Sequence, residues 1–61
     1  MTNIELRERR KALHLTQQQV ADATGVSQQN YARWESGKVS ITHLRAAWLE
    51  RELSRLERAP A

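Results

Sequence analysis

The chain has only two glycines, Gly25 and Gly37. Each stands at the end of a short helix-forming stretch, where a residue free to adopt positive φ closes a helix. Ser27 follows the first glycine by two residues and is a strong N-cap. Two helices must therefore meet across a turn of about three residues, Gly25-Val26-Ser27, a length that gives a steep crossing. The upstream helix has its own start signal: Thr16 caps it, and Gln19, three residues on, completes a capping box. Val20, Ala21 and Ala23 supply its apolar positions, with Ala21 small enough to let another helix cross closely. The downstream helix runs from Gln28 to Ser36, and Gly37 closes it.

Two further helices flank this pair. From Asn3 to Leu13, the apolar Ile4, Leu6 and Leu13 are embedded in Glu, Arg and Lys, with the cations biased toward the C-terminal end, as the helix dipole favours. Asn3 is the expected cap, and Glu5 and Arg9 have the favourable i, i+4 spacing. The helix must stop near His14, which is expected in a left-handed conformation. The last helix starts at Ser40 or Thr42 and runs to Arg58, with Pro60 as its stop, a length of about 25 Å. Ile41, Leu44 and Trp48 fall in one arc, and Leu49, Leu53 and Leu56 in a second about a third of a turn away. Two arcs predict two partners: the first closes the core, and the second, which Ala46 extends, meets another chain. The alternative is that both merge into one wide core-facing stripe. Glu50, Arg51, Ser54, Glu57 and Arg58 read as the solvated side. The expected fold is all-α, a single compact helix-turn-helix domain over residues 1–61, with three short helices in a core over 3–38 and one long C-terminal helix over about 41–58.

A chain of 61 residues buries only about 60% of its unfolded surface, so one domain without a deep pocket is expected. Cysteine is absent, and His14 and His43 alone cannot complete a zinc shell, so no metal, cofactor or disulfide framework is expected. No apolar run approaches the roughly 20 residues of a membrane span. The polar start Met1-Thr2-Asn3 is no signal peptide, which makes a cytoplasmic protein the expectation, nucleoid-associated when bound to DNA. The formal net charge is +3, unevenly placed. Residues 7–45 carry seven Lys or Arg against three acids, and residues 46–61 carry three of each. A basic first part favours a polyanionic partner.

Residues 6–38 resemble the lambda-repressor-like (XRE) family of bacterial and phage regulators. The resemblance lies in Leu13-x-Leu15-Thr16-Gln17, in Ala21 and Gly25, in Val26-Ser27-Gln28-Gln29, and in Trp34-Glu35-Ser36-Gly37-Lys38, all in register. It implies that the helix opened by Ser27 is a recognition helix in the major groove. It also implies that Gln17 donates to a phosphate and braces Gln28, the first side chain of that helix. Gln28 resembles the glutamine that contacts adenine, since a carboxamide matches the N7 acceptor and N6 donor. Ser27, Gln29, Asn30 and Arg33 join the expected DNA-facing set; Arg33 suits either a guanine edge or a phosphate. Lys38 resembles a phosphate-binding loop lysine. Singly, each of these is an ordinary solvated side chain, and their clustering favours DNA. Tyr31 and Trp34 are assigned to the core. Arg10 and Glu35 stand where relatives have an ion pair joining the first and third helices. Arg7, Arg9 and Lys11 are either phosphate contacts or plain solubility charges. The resemblance fades after Lys38, so no DNA role passes to His43 or Arg45, and His43 is expected to be solvated.

One recognition helix reads too few base pairs to select a site among a genome's competitors, so a homodimer on a roughly palindromic operator of double-stranded DNA is expected. The Leu49, Leu53 and Leu56 row is its expected seam. A repressor that occludes a promoter, with no small-molecule ligand and no room for a ligand-sensing module, is the leading expectation. The alternative is an antitoxin-like or adaptor module whose C-terminal helix binds a different partner. An enzyme is not expected, because no histidine is placed against Ser27, Ser36, Ser40 or Ser54.

Overall fold

The computed structural model describes residues 1–59. Four α-helices follow one another: α1 (Asn3–Ala12), α2 (Gln17–Thr24), α3 (Gln28–Ser36) and α4 (His43–Arg58). The expected all-α order of three short helices and one long one is present. The helix-stop role assigned to Pro60 lies outside the described residues.

Local chemistry sets most of the boundaries. Thr16 caps α2 by accepting from the Gln19 N–H, and the Gln19 side chain returns to the Thr16 N–H at 2.8 Å, closing the capping box. Ser27 caps α3 by accepting from the Asn30 N–H, and Thr42 caps α4 by accepting from the Arg45 N–H. Gly25 and Gly37 have φ of 77° and 81°, and among the described residues His14 is the one non-glycine with positive φ, at 58°. A Cβ at Gly37 would also sit tightly, 3.3 Å from the Asn3 amide nitrogen. That contact explains a correction at the start of α1. The cap is Thr2, which accepts from the Glu5 N–H, whereas the Asn3 amide reaches 32 residues along the chain to donate to the Glu35 carbonyl.

Leu6, Val20, Ala21, Tyr31, Leu49 and Leu53 are fully buried and form the core, with Leu13, Leu15, Val26, Trp34, Ile41 and Trp48 packed around it. α3 lies close to both α1 and α2, which the small Ala21 permits. α4 is attached by Leu49 and Leu53 in this core and by long side chains that reach between helices. Arg9 of α1 bonds Glu50 at 2.6 Å and grips both carboxylate oxygens of Glu57 at 3.0 and 2.8 Å. Arg55 donates to the Ala23 carbonyl at the end of α2. The Arg45 guanidinium stacks 5.1 Å from the Trp34 ring centre and 4.9 Å from that of Trp48.

These attachments correct several expectations. Arg9 does not pair within its helix with Glu5, and the Glu50–Glu57 face is not merely solvated. The arcs of α4 also take other places than expected. Leu49 and Leu53 are 0% exposed inside the protein's own core and Leu56 is half-buried, whereas Leu44 is 82% exposed. A dimer seam at Leu49 and Leu53 is therefore excluded by their burial, and Leu44 closes no core. The reason is rotational. At 100° per residue Leu44 stands 140° round the helix from Leu49. The apolar surface offered by Leu6, Val20 and Tyr31, together with the Arg9 grip beside it, seats the Leu49 and Leu53 side and turns Leu44 outward.

Candidate nucleic-acid interface

α3 is divided lengthwise. Tyr31 is fully buried, Glu35 is 3% exposed and Trp34 is half-buried, its ring edge-on to Tyr31 at 6.3 Å. On the other side Gln28, Gln29, Asn30, Arg33 and Ser36 are exposed, as is Lys38 just beyond the helix. The helical repeat sorts these further. Gln29, Arg33 and Ser36 project within about 60° of one another, and Gln28 and Ala32 adjoin them on the α1 side. Asn30 turns toward the Trp34 edge, about a quarter turn from Gln29. Ser36 and Ala32 were not singled out from the sequence; the helical wheel centred on Tyr31 would have found them.

The turn fixes how α3 is presented. Gly25 in its left-handed conformation ends α2, its N–H pointing back to the Asp22 carbonyl, and Val26 donates to the Ala21 carbonyl. Ser27 then starts α3 at once. Its hydroxyl accepts from Asn30 N, so Ser27 acts as a cap at the head of the exposed face.

Beneath α3, Arg10 and Glu35 form the expected ion pair, side by side: Nε to Oε2 at 2.6 Å and Nη2 to Oε1 at 3.1 Å. The remaining Nη1 of Arg10 donates to the Leu15 carbonyl at 2.9 Å. The pair locks α1 to α3 and to the α1–α2 connection. Burial alone would push the Glu35 carboxyl upward, but the hydrogen bonds it accepts, led by those from Arg10, hold it below the ordinary carboxylate value. The Tyr31 hydroxyl, buried without a hydrogen-bond partner, is pushed well up by burial and stays a neutral phenol. Removing one partner of such a buried pair strands a charge and costs about 3–5 kcal/mol.

Gln17 belongs to this network. Its Nε2 donates to Glu35 Oε1 at 3.1 Å, and no hydrogen bond joins it to Gln28. The bracing of Gln28 by Gln17 is thus absent, and Gln17 is instead held from below. His43 is exposed in the first turn of α4, and Arg45 is occupied by its two indoles.

Among the described residues no group of His, Cys, Asp and Glu could hold a metal ion, and no helix is long and apolar enough to cross a membrane. Neither the curated proteins nor the solved structures compared with the chain gave a match. A helix-turn-helix family model, of the Cro/C1 type, matches residues 6–47 of the 61, a stretch that contains the whole of α2, the turn and α3. With an exposed polar and cationic face on the second helix of that motif, and a match over more than half its length, the chain is a member of the Cro/C1-type (XRE) helix-turn-helix family of DNA-binding transcription regulators.

Proposed function

We propose that this regulator is a repressor that binds a roughly palindromic operator as a homodimer and occludes the promoter beneath it. Each α3 lies in the major groove, where Gln28 and Gln29 read base edges and Arg33 contacts a guanine edge or a phosphate. Lys38 grips the backbone beside them, and Asn30, turned to one side, contributes least. The observation that carries this reading is the lengthwise division of α3: three side chains anchor one side in the core while the other exposes amides and a cation but no carboxylate. Acceptor-rich base edges and phosphates suit that surface, and an acidic residue on it would repel them. A DNA-binding domain of this kind works where the chromosome or phage genome is, inside the cell.

The need for two copies follows from specificity. At about 1–3 kcal/mol per base pair, one short helix cannot select one site among about a million competitors. With Leu49 and Leu53 inside the core, the twin is best accommodated by the surface that Leu44 opens. There an almost bare leucine stands beside a shallow hollow lined by Thr42, Arg45, Trp48 and Arg51, so knob and hollow share one face, as a self-complementary contact requires. That same bare face favours the second reading, an antitoxin-like or adaptor module that presents α4 to a different protein.

Selection of bound sites from random duplexes tests the function. Two half-sites with centres about one helical turn apart, about 34 Å, are expected for the dimer. A single half-site, or no enrichment, defeats it, and a monomer in sedimentation at micromolar concentration favours the adaptor.

A further inference from the structure

The hollow beside Leu44, about 310 Å³ in volume, is lined by Thr42, Leu44, Arg45, Trp48 and Arg51, with no carboxylate. Neither arginine has an ion-pair partner among the described residues. Arg45 lies over the Trp34 and Trp48 rings, which occupies the flat of its guanidinium and leaves the N–H edge open. A stacked guanidinium has already given up much of its side-chain freedom, so a carboxylate that meets this edge costs little further ordering. The hollow thus joins an apolar knob and an indole to two cations that nothing in the protein answers.

A second copy answers them poorly. In a twofold contact the same patch meets itself, so Arg45 and Arg51 face the twin's Arg45 and Arg51. The three carboxylates of α4 are all engaged, Glu50 and Glu57 by Arg9 and Glu52 by Arg55 of its own helix. Like charges set against one another oppose association. The twin therefore covers Leu44 and Trp48 and leaves the charge of the seam uncompensated. Nucleic acid would do the reverse, answering the cations and leaving Leu44 bare.

We infer that this hollow docks a second protein through an acidic segment with an apolar centre, and that this segment displaces the twin and so frees the operator. An apolar side chain of the segment covers Leu44 and Trp48, and carboxylates on either side of it pair with Arg45 and Arg51. The inference rests on the homodimer reading above, because displacement requires that the twin use this face.

The probe is a synthetic helical peptide, one face of which carries leucine flanked by glutamates; in a second peptide glutamine replaces every glutamate. Trp34 and Trp48 are the chain's only tryptophans and both touch Arg45, so their emission reports occupancy of the hollow. The glutamate peptide is expected to shift that emission and to convert dimer to monomer in sedimentation, and the glutamine peptide to do neither. Arg51→Gln, at an exposed site, should weaken peptide binding by about tenfold. It should leave the dimer as tight or tighter, since it removes repulsion between copies, whereas a merely structural defect would weaken both. Arg7→Gln, at an exposed cation outside the hollow, should change neither. Rising salt should weaken the peptide and strengthen the dimer. Equal binding of the two peptides, equal weakening in Arg51→Gln and Arg7→Gln, or a dimer that persists with peptide bound overturns the inference. So does an emission shift produced by phosphatidylglycerol vesicles and not by the peptide, which makes the face a lipid-binding one. A wild-type chain that is monomeric before any peptide is added defeats the homodimer reading and displacement with it, and the emission shift then decides the docking alone.

Discussion

The first three helices and the fourth are held together by different means. α1, α2 and α3 have closely spaced backbones, short connections and caps made by their own neighbours: Thr2, Thr16 and Ser27 at the starts, Gly25 and Gly37 at two of the ends. α4 is attached by two buried leucines and by arginines that reach across from or to other helices. In the first region the conformation of each segment is decided within a few residues of itself. In the second, which side of a 16-residue helix faces inward depends on surfaces far away in the chain. The two regions also present different surfaces: the first exposes the polar side of α3, and the fourth helix exposes Leu44.

Replacing Leu53 by Ala should have the largest effect on this contrast. A buried leucine cut to alanine costs about 2–5 kcal/mol, much of the stability of so small a domain. Chemical denaturation would report it, and a loss under about 1 kcal/mol would mean that α4 is not part of the core. Glu35→Ala comes next, at about 3 kcal/mol, because it leaves the partly buried Arg10 unpaired; an unchanged midpoint would show the pair to be dispensable. The same pair gives a pH signature. The folded Glu35 carboxyl lies below the ordinary 4.5, so its contribution is complete above that value and is lost as the pH falls through the folded value. Melting temperature should therefore drop on acidification below 4.5, and Glu35→Gln should flatten that part of the curve.

Gln28→Ala should leave stability nearly untouched and weaken operator binding by about 1–3 kcal/mol, with preference relaxed at one base pair per half-site. Equal weakening on random DNA would remove it from the base-reading set. For Lys38→Ala, titrations at several salt concentrations should give a sequence-blind loss and a shallower slope; the same slope as wild type would take it out of the phosphate set. Smallest of all in stability is Leu44→Asp, within about 0.5 kcal/mol for so exposed a site. Sedimentation should nevertheless show the dimer lost, and a dimer that persists places the twin elsewhere.

The start and stop residues explain why so much was legible. Thr16, Gln19, Gly25, Ser27 and Gly37 act through hydrogen bonds and φ angles within their own turn, so their type and spacing carry the information. The Arg10–Glu35 pair was anticipated from resemblance and is present in the ion-pair geometry. Asn3 and Gln17 show the limit. Each has a sound local or inherited role, cap or brace, and each is diverted to Glu35, one to its carbonyl and the other to its carboxylate. Their partner lies 32 and 18 residues away, and no local spacing announces it. Arg9 was diverted in the same way, from Glu5 in its own helix to Glu50 and Glu57 in another.

Residue order alone determined the four helices, the tight turn and the exposed amides of α3, because capping, glycine conformation and helical repeat are short-range effects. Tertiary structure alone decided the rotation of α4, and with it the burial of Leu49 and Leu53 and the exposure of Leu44. Ile41 and Trp48 of the first arc pack beside Leu49 and Leu53 of the second, and only the shape and charge of the three-helix surface decides that Leu44 is left outside.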